Sequence, residues 1–285
     1  GVLRSEDLKG NTDNDKFSYK LNYSTSMSKY VKNSRARFAI SALDGLNHFS
    51  VGYNLKDISQ MNAIDISLNG FERKEASDLN YLLYENMWLP EKKNTNLTIN
   101  IAHNYRYLQK NKFSGNGTIQ FGLKSSSIMS DYNFANLSLS AINKSKIGDW
   151  KINTRFFIQR GFGKNFPYES MLYAAGANPE DLMNNKYTRS IGLVPDGWTE
   201  YGNSTSTFHY GGGLNLRGYT GCYMIEEVTN GISNTYKGTS GIALNTELDY
   251  THFIPYMNYF GMNSYIFMDA GVINENEVGE KLAFS

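Results

Sequence analysis

The side chains that could do acid, base, nucleophilic or metal chemistry are few and scattered. Four histidines occur, His48, His103, His209 and His252, and none stands in HExxH or another zinc-ligating spacing. No GxSxG elbow is present to carry a hydrolase serine. GFGKNF (161–166) lacks the full GxxxxGK[ST] phosphate loop and reads as a turn at a strand end. The lone Cys222 excludes an internal disulfide and a cysteine zinc cluster, has no obvious histidine partner, and reads as a buried, inert thiol. No catalytic site, metal or cofactor is expected. One cation remains in an unusual setting: GGGLNLRGY, residues 211–219, where three glycines lead to Arg217 between Leu216 and Gly218, with Tyr219 following. A guanidinium stays protonated, and its planar fork can serve two carboxylates at once. Glycines beside it let the backbone approach a wall closely.

The elements that would position this arginine are written with a period of two. FSYKLNYS sets Phe17, Tyr19, Leu21 and Tyr23 against Ser18, Lys20, Asn22 and Ser24. HFSVGYNLK, AIDISLNGF and LTINIAHNYRY repeat the alternation, and further matches begin near Ala36, Leu79, Ile119, Leu137, Ile152, Ile242 and Ser264. Such alternation predicts antiparallel strands with two unlike faces. With 285 residues, 21 Tyr, 16 Phe, 26 Gly and only 5 Pro, the composition also favours strands and tight turns over helices. No apolar run approaches the roughly 18 residues a membrane helix needs. The net charge of +1 argues for no polyanionic partner, and the alternation of basic and aromatic residues needs no nucleic acid to explain it.

Two architectures produce this pattern. A soluble sandwich turns its apolar face inward, whereas an outer-membrane barrel turns it to lipid and lines its lumen with polar side chains. Three features favour the barrel. The strands run about 9–11 residues, the length a tilted strand needs to cross hydrocarbon. Aromatics cluster at strand ends, in NMWLP (Trp88), GDWKI (Trp150) and HFIPYMNYF, where interfacial belts belong. Lys20, Lys56, Arg106, Lys124, Lys151 and Arg155 all fall on the polar face and read as the lining of a solvated lumen. On this reading His103 and His252 take lipid-side positions.

The expected fold is therefore all-β: one antiparallel transmembrane β-barrel domain over 1–285, with a long loop at 167–240 that folds inward and carries the motif. NPEDLMNN (178–185) predicts a turn or two of helix inside that loop. Eleven or twelve strands are legible. The opening GVLRSEDLKG reads as a mature protein or a fragment, and KLAFS as the start of a further strand, so terminal strands are expected to be missing.

LRGY resembles the arginine–glycine–aromatic motif of the outer-membrane assembly-factor superfamily. That superfamily includes the BAM-complex core insertase, the TAM translocation barrel, the two-partner secretion transporters and the bacterial surface antigen family. Downstream, GIALNTELDYTHF carries the acidic position of the next strand at Glu247, and SYIFMDAGVI matches the aromatic–x–Asp–x–Gly strand with Phe267, Asp269 and Gly271. The resemblance covers about residues 205–273. It implies that the loop lies in the lumen and that Arg217 meets carboxylates on the inner wall. The alternation agrees, since Glu247 shares the face of Asn245 and Asp249, and Ile266, Met268, Ala270 and Val272 leave Asp269 pointing inward.

The resemblance further implies a protein of the Gram-negative outer membrane that inserts or translocates outer-membrane and surface proteins. Its partners would be outer-membrane lipids, unfolded or translocating outer-membrane proteins, and lipoprotein or periplasmic partners. A second reading stays open: YESMLYAAGANPEDLMNNKYTRSIGLVPDGW is similar to barrels that anchor a gluzincin aminopeptidase domain, whose zinc site would lie outside this chain. A passive porin is a third, which an in-folded loop disfavours.

Overall fold

The computed structural model describes residues 4–5, 17–43, 45–74, 87–109, 113–183, 212–217, 219, 224–227, 232–235, 237–253, 261–274 and 280–284. Nine strands come first: β1 (Arg4–Ser5), β2 (Phe17–Ser26), β3 (Ser34–Leu43), β4 (Leu46–Lys56), β5 (Asn62–Arg73), β6 (Lys93–Gln109), β7 (Phe113–Ser126), β8 (Asn133–Ile147) and β9 (Trp150–Asn165). An insert follows, with a 3-10 turn at Tyr168–Ser170, then β10 (Leu172–Tyr173), α1 (Pro179–Leu182), β11 (Met224–Glu227), β12 (Ile232–Thr235) and β13 (Lys237–Gly238). The chain then returns to the wall with β14 (Ser240–Phe253), β15 (Gly261–Asn274) and β16 (Glu280–Phe284).

Nine of these strands precede the insert and three follow it, and all twelve form one antiparallel sheet in chain order, with β9 paired directly to β14 across the insert. β10 pairs with β13, and β11 with β12, as two small separate ladders. β1 and β16 are not paired with each other, so among the described residues the sheet is open rather than closed. The strand expected near Leu79 and the segment after Phe253 lie outside the described residues.

The two faces follow the predicted parity. On the outer face Leu21, Ile40, Val51, Ile66, Ile101, Phe121, Leu139, Ile158, Leu244 and Ile266 are exposed in an unbroken apolar band. β2–β4 have the expected length, but β6–β9 run 14 to 17 residues. The extra length continues past the apolar band, where the outer face changes character. Tyr105 and Tyr107 lie over Gly117 and Gly115, and their hydroxyls donate to Asn143 Oδ1 at 3.3 and 3.0 Å. His103 sits on this same face, its Nδ1 2.7 Å from Asn62 Oδ1.

The buried apolar residues lie on the inner face, beneath the insert. Phe157, Ala243 and Ile273 from the wall pack against Leu172, Ala174, Leu214 and Leu216. Leu46 and Phe71 pack against Trp88 and Met183. Trp88 corrects an expectation: it is 3% exposed inside this cluster, 5.3 Å from the Phe71 ring, not in an interfacial belt. Its neighbours explain why, because the insert supplies an apolar lid that a lone strand end lacks. Trp150 does sit exposed on the outer face, 4.5 Å from Tyr250.

Candidate functional site

The site begins with the backbone of the inserted arm. Gly213 holds φ +54°, and a Cβ there would stand 2.1 Å from the Gly176 carbonyl oxygen, so only glycine lets the two arms of the insert close. The arms are joined by Leu214 N–H donating to Tyr173 O and Leu216 N–H donating to Ala174 O, at 3.2 and 2.8 Å. Asn215, at φ +54°, turns its carbonyl to the wall, where Asn245 Nδ2 donates to it at 2.9 Å. Leu216 is fully buried and lies over Gly271, whose added Cβ would come within 3.2 Å of both Leu216 methyls. That contact accounts for the glycine of the aromatic–x–Asp–x–Gly strand.

Arg217 reaches the wall next. Its backbone N–H and Nε both donate to Asp269 Oδ2 at 2.8 Å, and Nη2 donates to Asp269 Oδ1 at 2.8 Å. Nη1 donates to Glu247 Oε2 at 2.5 Å, and Nη2 also meets the Thr246 carbonyl at 3.2 Å. The guanidinium carbon lies 4.0 Å from the centre of the Phe267 ring, a cation–π contact on the side the carboxylates leave open. The Asp269 side chain has no solvent exposure, whereas Glu247 keeps 31%. Hydrogen bonding to Asp269 raises the Arg217 pKa above the ordinary arginine value. Tyr219 is half-buried against the Leu216 cluster. The structure therefore brings Arg217, Leu216, Tyr219, Glu247, Phe267, Asp269 and Gly271 together; Gly218 lies outside the described residues.

Sequence reasoning placed Arg155 and Lys124 in a solvated lumen, and both are instead tied to the insert. Arg155 Nη1 and Nη2 donate to the Leu214 and Gly213 carbonyls at 3.3 and 2.7 Å, and Nη1 also meets Asn245 Oδ1 at 2.9 Å. Lys124 Nζ donates to Glu180 Oε2 at 2.9 Å. Lys20 Nζ reaches the Met183 carbonyl at 3.2 Å. The acidic partners in the 167–240 segment carried no local signal, because Glu180 lies 56 residues from Lys124. Between the insert and the strands β2–β9 a cavity of about 680 Å³ remains, lined by groups that include Lys20, Arg37, Asp65, Asn100, Asp181 and Gly213.

A second buried carboxyl belongs to the same docking surface. Glu169 is 2% exposed, and Asn94 Nδ2 donates to its Oε1 at 2.8 Å while Oε2 has no partner. Burial pushes its pKa up to about 7, and the nearby Glu180 adds to the rise. The folded pKa thus exceeds the unfolded one of about 4.5. Its contribution is present below pH 4.5 and is lost as pH rises through 7, up to roughly 3 kcal/mol. Glu180 is shifted the other way by Lys124 despite its burial, so its contribution is lost only as pH falls. We expect the melting temperature in detergent to fall between pH 5 and 7.5, and Glu169→Gln to flatten that fall; an unchanged slope in the variant refutes the assignment.

Among the other sequence candidates, His48 is buried on the inner face, 3.3 Å from Ser41 Oγ and stacked on Phe71 at 4.5 Å. His209, Cys222 and the His252 side chain lie outside the described residues. Among the described residues no three His, Cys, Asp or Glu side chains are placed to share a metal ion. No protein-family model matches the chain, and no curated protein matches it either.

Proposed function

We propose that this chain is the transmembrane barrel of an outer-membrane assembly factor, acting in the insertion or translocation of outer-membrane and surface proteins. The observation that carries the reading is the Arg217 fork. A segment inserted between β9 and β14 returns to the inner face of the wall, and one guanidinium binds Glu247 on β14 and Asp269 and the Phe267 ring on β15 there. The LRGY loop, the Glu247 strand and the Phe267–Asp269–Gly271 strand are the three elements by which the chain resembles that superfamily. The exposed apolar band supports a lipid-facing outer surface, since contiguous apolar patches of that extent are rare on soluble monomers.

In this reading lipid acyl chains cover the outer face, and the client is an unfolded outer-membrane protein. Lipoprotein or periplasmic partners would meet the rims. The test uses the complete gene product in liposomes, with an unfolded barrel protein as client and protease protection as the readout of folding. Faster client folding than in empty liposomes is expected, and Arg217→Ala should slow it. Client folding no faster than in empty liposomes would overturn the proposal. A peptidase activity accompanying that result would favour the anchored-enzyme reading instead.

A further inference from the structure

Among the described residues two polar clusters that share no hydrogen-bonding side chain tie the insert to the wall, and between them Leu172, Ala174, Leu214 and Leu216 pack together on Phe157, Ala243 and Ile273. The first is the Arg217 fork on β14 and β15, with Arg155 and Asn245 gripping the carbonyls of residues 213–215. The second is on β6 and β7, where α1 meets the wall. Glu180 is 4% exposed and both of its oxygens are bonded: Oε1 accepts from Asn96 Nδ2 at 3.0 Å, and Oε2 from Lys124 Nζ at 2.9 Å and Ser170 Oγ at 2.5 Å. Asn94 Nδ2 adds bonds to Glu169 Oε1 at 2.8 Å and Ser170 Oγ at 3.2 Å.

The segment bearing these groups is braced internally. Asn178 caps α1 by accepting from Asp181 N–H at 2.9 Å, and its Nδ2 donates to the Met171 carbonyl at 3.1 Å. Apolar contacts extend the dock: Leu182 packs with Met87, Tyr173 and Ala177, and Met183 with Leu46, Phe71 and Trp88. None of these partners lies on β14 or β15.

From this we infer that the insert is held by two separable anchors, and that the buried Lys124–Glu180 dock keeps residues 168–183 in the lumen when the Arg217 fork lets go. Only the arm at 212–219 is then free to move; the first half of the insert is a resident plug. The inference rests on reading the inner face as a lumen, but not on any client or activity. Lys124 is a positioning residue in it. A lysine ammonium and a carboxylate enclosed together hold firmly because either one left alone would be a buried, unpaired charge. The two polar anchors share no hydrogen-bonding side chain and are linked only through the Tyr173 and Ala174 carbonyls and the Leu172–Leu214 packing, so loss of one should leave most of the other in place.

The experiment reads the exposure of each half separately, in the detergent-solubilised full-length protein with Cys222→Ala. One reporter cysteine is placed in the plug (Ala177→Cys) and, in a second protein, one in the arm (Leu216→Cys), and the rate of N-ethylmaleimide labelling is measured. Arg217→Ala should speed labelling at position 216 by on the order of a hundredfold and leave position 177 within about twofold of its parent. Lys124→Met should speed labelling at 177, and the swap Lys124→Glu with Glu180→Lys should slow it again. Should Lys124→Met fail to fold, Asn96→Ala removes one donor without stranding a charge and should raise the rate at 177 more modestly. Equal exposure of both positions by Arg217→Ala would overturn the inference, as would a protected position 177 in the dock variants. Neither outcome depends on client folding, so this result stands or falls apart from the proposed function.

Discussion

Arg217→Ala is expected to lower the stability of the folded protein by about 3–5 kcal/mol, the cost of removing one partner from a buried charge pair. Asp269 sets the size of the effect. Its carboxylate has no solvent exposure and takes three hydrogen bonds from Arg217, two of them from the side chain. Without the guanidinium it is left enclosed with one backbone donor from that residue. Glu247 loses less, because it is partly exposed and keeps Asn153 Nδ2 at 3.2 Å. Arg217→Lys should fall between the two, since a single ammonium cannot span both carboxylates in the same geometry. Adding Asp269→Asn to Arg217→Ala should recover part of the loss by removing the stranded charge. The readout is the temperature at which the compact, heat-modifiable form disappears on a gel. An alanine variant that melts with its parent would remove the fork from the account of stability.

The second large effect is expected on the opposite face. Ile66 lies at the middle of the outer stripe Ile64, Ile66, Leu68 on β5, opposite Tyr53 on β4 and Ile99 on β6. If acyl chains cover that stripe, Ile66→Arg should cost about 2–4 kcal/mol, as for arginine at the midplane of a barrel wall. Ser67→Arg, one residue along and facing the polar cavity, should cost far less. Refolding into liposomes in a urea series measures both. A wall that faces water on its outer side would reverse the order, with Ile66→Arg harmless, and would end the membrane reading.

Alternation made the wall legible. LTINIAHNYRY and AIDISLNGF assign their faces without further help, and parity turns Glu247 and Asp269 to the inner face, while only the resemblance put Arg217 beside them. What resisted reading is where the insert meets the wall. Phe157, Ala243, Ile273 and Phe71 are apolar on an otherwise polar face because the insert, not water, covers them. Asn143 and Ser145 break the outer stripe because tyrosine hydroxyls from β6 reach across glycines to bond them. Arg155 and Lys124 looked like lumen cations since their partners lie 58 and 56 residues away, and a period of two says nothing about contacts at that range. Trp88 was misplaced for the same reason, being covered by Met183 and Phe71 rather than by an interface.

The direction in which those partners lie has its own consequence. Asn96 and Lys124 come before the insert in the chain, whereas Glu247 and Asp269 come after it. A chain emerging from its N-terminus can therefore seat α1 on strands already made, and it must then wait for the β14–β15 hairpin before Arg217 finds its acids. Pairing of β14 with β9 spans the whole insert, a loop closure that is entropically costly unless something gathers its ends. A seated α1 and the paired arms do that gathering. The insert would then act during assembly as a splint, joining the early part of the wall to the late part before it acts as anything else.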